Sequence, residues 1–359
     1  MYYILVDAIN NLFHTRRMSI IKFMINKKTK KNAYLKIENI KKILLIIFIL
    51  SLFSFLLYIF TKTFISEKLY RGDAIYYYNL ILHNKWMNRY ALEPLMGVIV
   101  KLFLPNDFAH YLVVSNIIPL FIILYSAYIA NMSKTGIFIL GLFFTISYYG
   151  MHYIFNFQRQ YYAISFLIAF VASRRKIIFL LLAQFSHIYA IVPSILLYKA
   201  YISRKKQKTI LIFLFIAISV LLYLLLPFIE IKTVQDYAQA SNDNPFKFII
   251  RSIFQLIFIG TIVYFIGGLK RISIPFKLVL VIYITLLCLS IIPVLGAVLV
   301  RIDYYIFSII IFLILVEISN IQLKKIKRYS IYMLILIYSF LGFFQWLHSN
   351  AQWIFYGIS

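Results

Sequence analysis

The chain has 359 residues, 63% of them hydrophobic and only 13% charged, a balance that excludes an ordinary soluble domain. The net charge is +26, yet the Lys and Arg residues cluster between long apolar runs, where positive-inside topology and anionic lipid head groups account for them without nucleic acid. A single cysteine, Cys288, excludes an intramolecular disulfide or a Cys-cluster metal site, and inside an apolar run it reads as a small packing residue.

Residues 1–42 are rich in Lys and Arg and read as a cytoplasmic tail lying partly on the membrane surface, with Met18 and Met24 as alternative starts. The first long apolar run begins at Ile43 and no small-x-small site follows it, so no cleavable signal peptide is expected. About 20 helical residues cross about 30 Å of hydrocarbon. On that rule the chain is an all-α polytopic membrane protein with nine full spans. They fall at 43–60, 108–130, 135–153, 157–173, 209–227, 248–267, 276–294, 300–317 and 330–348. The membrane domain is then 43–348, and 349–359 is a short C-terminal tail.

Two apolar stretches do not fit as simple crossings. The stretch 92–104 is short and carries Lys101. The stretch 177–199 has a basic cluster at each end, Arg174–Lys176 before it and Arg204–Lys208 after it. If neither crosses, most Lys and Arg fall on the cytoplasmic side and most Asp and Glu outside. The stretch 177–199 is therefore expected to enter and leave on one side, as two half-helices broken near Ser186-His187. Ten helical residues rise about 15 Å, roughly half the hydrocarbon depth, which sets His187 near the membrane middle. One kinked helix is the alternative. The N-terminus is then cytoplasmic and the C-terminus extracytoplasmic, with outer loops at 61–91 and 228–247.

Charges beside hydrocarbon are costly and point to function by default. Arg159 lies between amides in Gln158-Arg159-Gln160, at the outer end of a span. Its planar fork suits phosphate oxygens, although an arginine there can also snorkel to the interface. Arg301 lies in Val300-Arg301-Ile302-Asp303-Tyr304-Tyr305, and pairing with Asp303 is its plainer role. Two arginines at one depth match the two phosphates of a pyrophosphate. His187 can take a proton or, as imidazolium, stabilise phosphate, and packing alone also explains a lone histidine. Asp73 and Glu93 bracket the first outer loop, where a carboxylate can accept a proton from a sugar hydroxyl or simply be solvated. No DxD pair, HExxH, Walker lysine loop or GxGxxG occurs, so the machinery of nucleotide-sugar transferases, zinc proteases and ATP-driven pumps is missing and no cofactor or metal is expected.

The order of these residues resembles the EpsG-like group of Wzy-type bacterial polysaccharide polymerases. The likeness runs over roughly 43–348. It rests on Asp73 with Tyr76–Tyr78, Glu93, Arg159-Gln160 opening an apolar helix, Phe185-Ser186-His187, and Arg301 with Tyr304-Tyr305. The resemblance implies a glycosyltransferase in the bacterial inner membrane that makes capsule, O-antigen or exopolysaccharide. It would transfer a growing glycan from undecaprenyl pyrophosphate onto a second lipid-linked repeat. Arg159 and Gln160, with Arg301 and Tyr305, are expected at the pyrophosphate, and His187, Asp73 or Glu93 as the base. The partners implied are the polyprenyl-pyrophosphate-linked oligosaccharide, membrane lipids, a chain-length regulator and a flippase. A glycan ligase or a lipid-linked glycan exporter would need the same cationic sites. An exporter of the alternating-access kind often carries internal repeats, which the chain lacks.

Overall fold

In a computed structural model of the chain, residues 37–65, 73–90, 93–103, 105, 107–173, 176–201, 245–289 and 293–355 are described, with backbone alone at 88, 199–201, 245–249, 285–289, 293–301 and 350–355. The chain divides into 1–48 and 49–359. Of the first unit the structure describes the opening turns of α1 (Ile37–Phe64). All that follows concerns the second unit. It is helical throughout its described residues.

Three short helices follow α1: α2 (Asp73–Leu82), α3 (Trp86–Arg89) and α4 (Leu95–Leu102). Next come α5 (Phe108–Ile129), α6 (Lys134–Ile146), α7 (Tyr148–Phe155) and α8 (Gln158–Ala172). Then α9 (Ile178–Ser186), one 3₁₀ turn (Ile188–Ala190) and α10 (Ile191–Tyr201) form a broken run. The chain ends in α11 (Pro245–Ile266), α12 (Ile274–Leu289), α13 (Pro293–Asn320) and α14 (Lys325–Phe355).

Among the described residues, four helices are long and apolar enough to cross a membrane: α1, α5, Ile302–Asn320 within α13 and Lys325–Ser349 within α14. The bent pair α6 and α7 makes a fifth if it forms one span. These match the expected spans 43–60, 108–130, 300–317, 330–348 and 135–153. The last is not straight. Ser147 is extended (φ −72°, ψ 164°), and its hydroxyl accepts the Gly150 N–H at 3.0 Å, so one residue ends α6 and caps α7 at a 57° bend. The expected spans 157–173, 248–267 and 276–294 appear as α8 with 15 residues, the apolar stretch Ile250–Ile266 of α11, and α12 with 16. α11 is 22 residues long in all, and α8 and α12 have 15 and 16 described residues. The expected span 209–227 and the loop 228–247, up to Pro245, lie outside the described residues.

The broken run is observed: α9 stops at Ser186, and His187 is extended at φ −160°, ψ 123°.

The centre of the unit is α8. It is buried on every side from Gln160 to Phe170, as expected of a helix apolar all round, and it packs on α5, α9 and α13. Its start is pinned by Gln158, whose amide accepts from the Tyr111 hydroxyl and donates to Ser115 Oγ and the Ile154 carbonyl, both at 3.0 Å. The membrane stretch of α13 is 83% buried against 33% for α14, so α13 is interior and α14 peripheral. The outer helices turn large apolar side chains outward, among them Phe55, Phe254, Leu341 and Phe344. Such a surface suits hydrocarbon and not water.

Two glycines fix close approaches. A Cβ on Gly150 would stand 2.6 Å from the Phe144 carbonyl, and one on Gly342 2.7 Å from the Tyr148 backbone nitrogen. Main chain cannot give way there. Gly150→Ala or Gly342→Ala should therefore cost about 1–3 kcal/mol in detergent melts. Gly260→Ala, with nothing within 4 Å, should gain about 0.5–1 kcal/mol.

Asp107 caps α5. It accepts the His110 N–H at 2.8 Å and pairs with Lys62 at 3.0 Å. Burial pushes its carboxyl up, but these partners outweigh burial and hold it below its ordinary 3.8. A depressed folded-state pKa stabilises fully above the unfolded value and is lost as pH falls through the folded one. Asp107→Ala should cost about 0.5–2 kcal/mol at pH 7, and melts below pH 3 should show that difference shrinking.

Candidate functional site

The charged groups of the first outer loop, the start of α8 and the break after α9 meet at one carboxylate. Glu93 precedes Pro94, which opens α4. Its Oε2 forms an ion pair with the Arg159 guanidinium, and its Oε1 accepts the Ile188 N–H at 2.8 Å. In a continuous helix that N–H would bond the carbonyl four residues back. The run breaks at His187 instead, and a side chain 95 residues away in sequence satisfies the exposed donor. A broken helix inside a membrane needs such a partner.

Arg159 is held on three sides. Its Nε donates to the Tyr77 hydroxyl at 3.2 Å, and its guanidinium lies 4.0 Å from the Tyr90 ring centre and 5.3 Å from that of Tyr77. Cation–π contact of this kind strengthens as water is excluded. Trp86 closes the aromatic wall, 4.8 Å from Tyr90 and 5.6 Å from Tyr77, and donates its indole N–H to the Glu93 carbonyl at 3.3 Å. The Tyr77 hydroxyl donates in turn to Asp73 Oδ2 at 3.5 Å. Burial pushes both the Tyr77 and Tyr90 phenols up, while Arg159 pulls them down and Asp73 adds to the rise. Both remain protonated at neutral pH.

His187, beside Ile188, is buried and shares a 2.9 Å hydrogen bond between its Nδ1 and the Tyr305 hydroxyl of α13. Asp73, Glu93 and Arg159 thus join in one hydrogen-bonded group through Tyr77, and His187, bonded to Tyr305, is the chain neighbour of the Ile188 whose N–H Glu93 holds. Gln160 is not part of it. It is buried in α8, and its Oε1 has no hydrogen-bond partner among the described residues. Arg301 lies in α13, and its side chain is outside the described residues. Among the described residues no three His, Cys, Asp or Glu gather to hold a metal ion.

A second charged centre lies on the other flank of α13. Asp303 Oδ2 takes Arg251 at 3.4 Å and the Tyr149 hydroxyl at 3.0 Å. Gln255 donates to the Tyr149 hydroxyl and accepts from Tyr283 at 2.6 Å. Arg251 lies 5.6 Å from the Tyr304 ring centre. Sequence reading missed Arg251. Its signal was one arginine inside the apolar run 248–267, and the plainer pairing considered for Asp303 was with its neighbour Arg301.

The Arg159 and Glu93 side chains are 14% and 8% exposed, so losing either strands a buried charge. Arg159→Ala or Glu93→Ala alone should cost about 3–5 kcal/mol. The double variant Glu93→Gln/Arg159→Met should recover most of that loss in the same melts, since Gln can still accept the Ile188 N–H. No protein-family model, curated protein or solved structure matches the chain.

Proposed function

We propose that the chain is a membrane glycosyltransferase of the polysaccharide-polymerase kind, working at the outer face of the bacterial cytoplasmic membrane, with its N-terminus inside and its C-terminus outside. It takes a growing glycan from a polyprenyl pyrophosphate and adds it to a second lipid-linked oligosaccharide repeat. The observation that carries this reading is the meeting of two bonded groups at a break in an apolar run: Asp73, Tyr77, Arg159 and Glu93, and next to the Ile188 N–H that Glu93 holds, His187 with Tyr305. An acid, a cation and an imidazole brought together beside hydrocarbon are costly unless they do chemistry.

In this mechanism the acceptor hydroxyl attacks the anomeric carbon of the donor sugar. The bond from that carbon to the phosphate oxygen breaks, its electron pair goes to the pyrophosphate, and the hydroxyl proton goes to His187. The tautomer that donates Nδ1–H to the Tyr305 oxygen would carry its basic lone pair on Nε2. General-base help of this kind is worth about 10²–10⁴-fold. Arg159 meets the charge growing on the leaving group, which is most effective where water is excluded. The guanidinium has five donors, of which Glu93 and Tyr77 take two. Glu93 then serves as the brace that aims Arg159 and holds the turn bearing His187. Asp73, exposed at the mouth, is placed for sugar hydroxyls. A chain-length regulator and a flippase are the partners such an enzyme would need.

The test is the length distribution of lipid-linked glycan in a deletion strain complemented with wild type, Arg159→Ala, His187→Ala or Arg301→Ala, with expression checked. Wild type should give a ladder. The deletion and the Arg159, His187 and Arg301 variants should leave single repeats at the outer face. Long chains still on the lipid carrier would assign a ligase instead, and single repeats held on the cytoplasmic side an exporter.

A further inference from the structure

We propose that Arg251 and Asp303 form a second anion subsite, which takes the pyrophosphate and first sugar of the second lipid-linked substrate. This rests on the polymerase reading above: such an enzyme holds two diphosphates at once, and the Arg159 network accounts for one.

Three observations point to a ligand here. The Arg251 side chain is 21% exposed and that of Asp303 2% exposed, so the cation is the more accessible partner of a mostly buried pair. The two oxygens of Asp303 are unequal. Oδ2 takes both Arg251 and Tyr149, whereas the buried Oδ1 has no hydrogen-bond partner among the described residues. A buried carboxylate oxygen without a donor is costly, and a sugar hydroxyl is a donor of the right kind. The pair is also preorganised, because Tyr283, Gln255 and Tyr149 pass hydrogen bonds in sequence to Asp303.

The place of the pair fits a partner substrate. Asp303 and Tyr305 are two residues apart on α13, about 200° around its axis and about 3 Å along it. The Arg251 centre and the His187 centre therefore flank one helical turn, close together without sharing a side chain. His152 of α7 lies against the same turn, its ring 6.0 Å from that of Tyr304, and its buried Nε2 has no hydrogen-bond partner among the described residues. It is a further polar atom for sugar hydroxyls.

The experiment uses the full chain in lipid nanodiscs and radiolabelled geranylgeranyl pyrophosphate, with geranylgeraniol as the control for partition into lipid. Wild type should bind two pyrophosphates per chain. Glu93→Gln/Arg159→Met, which strands no buried charge, should bind one. Arg251→Gln/Asp303→Asn removes both charges together, so no buried charge is stranded, and should also bind one, with the remaining affinity within about twofold of wild type. Arg251→Lys keeps the ion pair but loses the planar fork, and should weaken one of the two sites about tenfold or more. A single site in wild type, or two unchanged sites in the paired variant and in Arg251→Lys, would overturn the proposal. The two readings fail separately. Two sites in a protein whose deletion leaves the glycan ladder intact would remove the polymerase reading and keep the subsite. One site with the ladder lost would do the reverse.

Discussion

Much of the second unit turns on one carboxylate with two obligations. Glu93 neutralises Arg159 at the start of α8 and also takes the backbone N–H exposed where the run 178–201 breaks. Without it, a guanidinium would be buried uncompensated and a peptide donor would lack a partner in a place with little water to help. Each obligation makes the other affordable. The ion pair holds Glu93 in position for the backbone, and the backbone bond fixes the oxygen geometry that aims Arg159. The aromatic wall of Tyr77, Tyr90 and Trp86 is the consequence, since a cation so desolvated needs ring faces around it.

Polar residues within or beside apolar runs were easier to read from the sequence than the helices that carry them. Asp73, Glu93, Arg159 and His187 stand out because each is polar within or beside an apolar run, and that contrast is visible one residue at a time. The break at His187 was legible too, because basic clusters at both ends of 177–199 cannot straddle a membrane without one of them lying outside. Span lengths were less legible. Composition stays apolar through Ser147, but a serine can end one helix and cap the next, so the stretch 135–153 bends where its hydropathy shows nothing. Pairing was least legible of all. Arg251 and Asp303 are 52 residues apart, and only the packing of α11 against α13 brings them together. A local reading naturally gave Asp303 to Arg301.

The burial pattern also explains why so many tyrosines sit inside. Tyr149, Tyr153, Tyr161, Tyr283 and Tyr305 are all fully buried, and most of them end at a named acceptor or a neighbouring ring. A tyrosine fills the volume of a phenylalanine and carries a polar tip to a chosen partner. In an interior where charges are few, these hydroxyls tie α7, α11, α12 and α13 together with direction as well as bulk.

The turn of α13 from Asp303 to Tyr305 acts as a gauge block. The separation of the two charged centres is set by the bond geometry of a helix, not by a loop that can lengthen or swing. Insertions elsewhere can reshape the mouth without altering that spacing. The spacing of Asp303 and Tyr305 is thus fixed inside a single helix, and variation around the two centres has to come from the elements that pack on it.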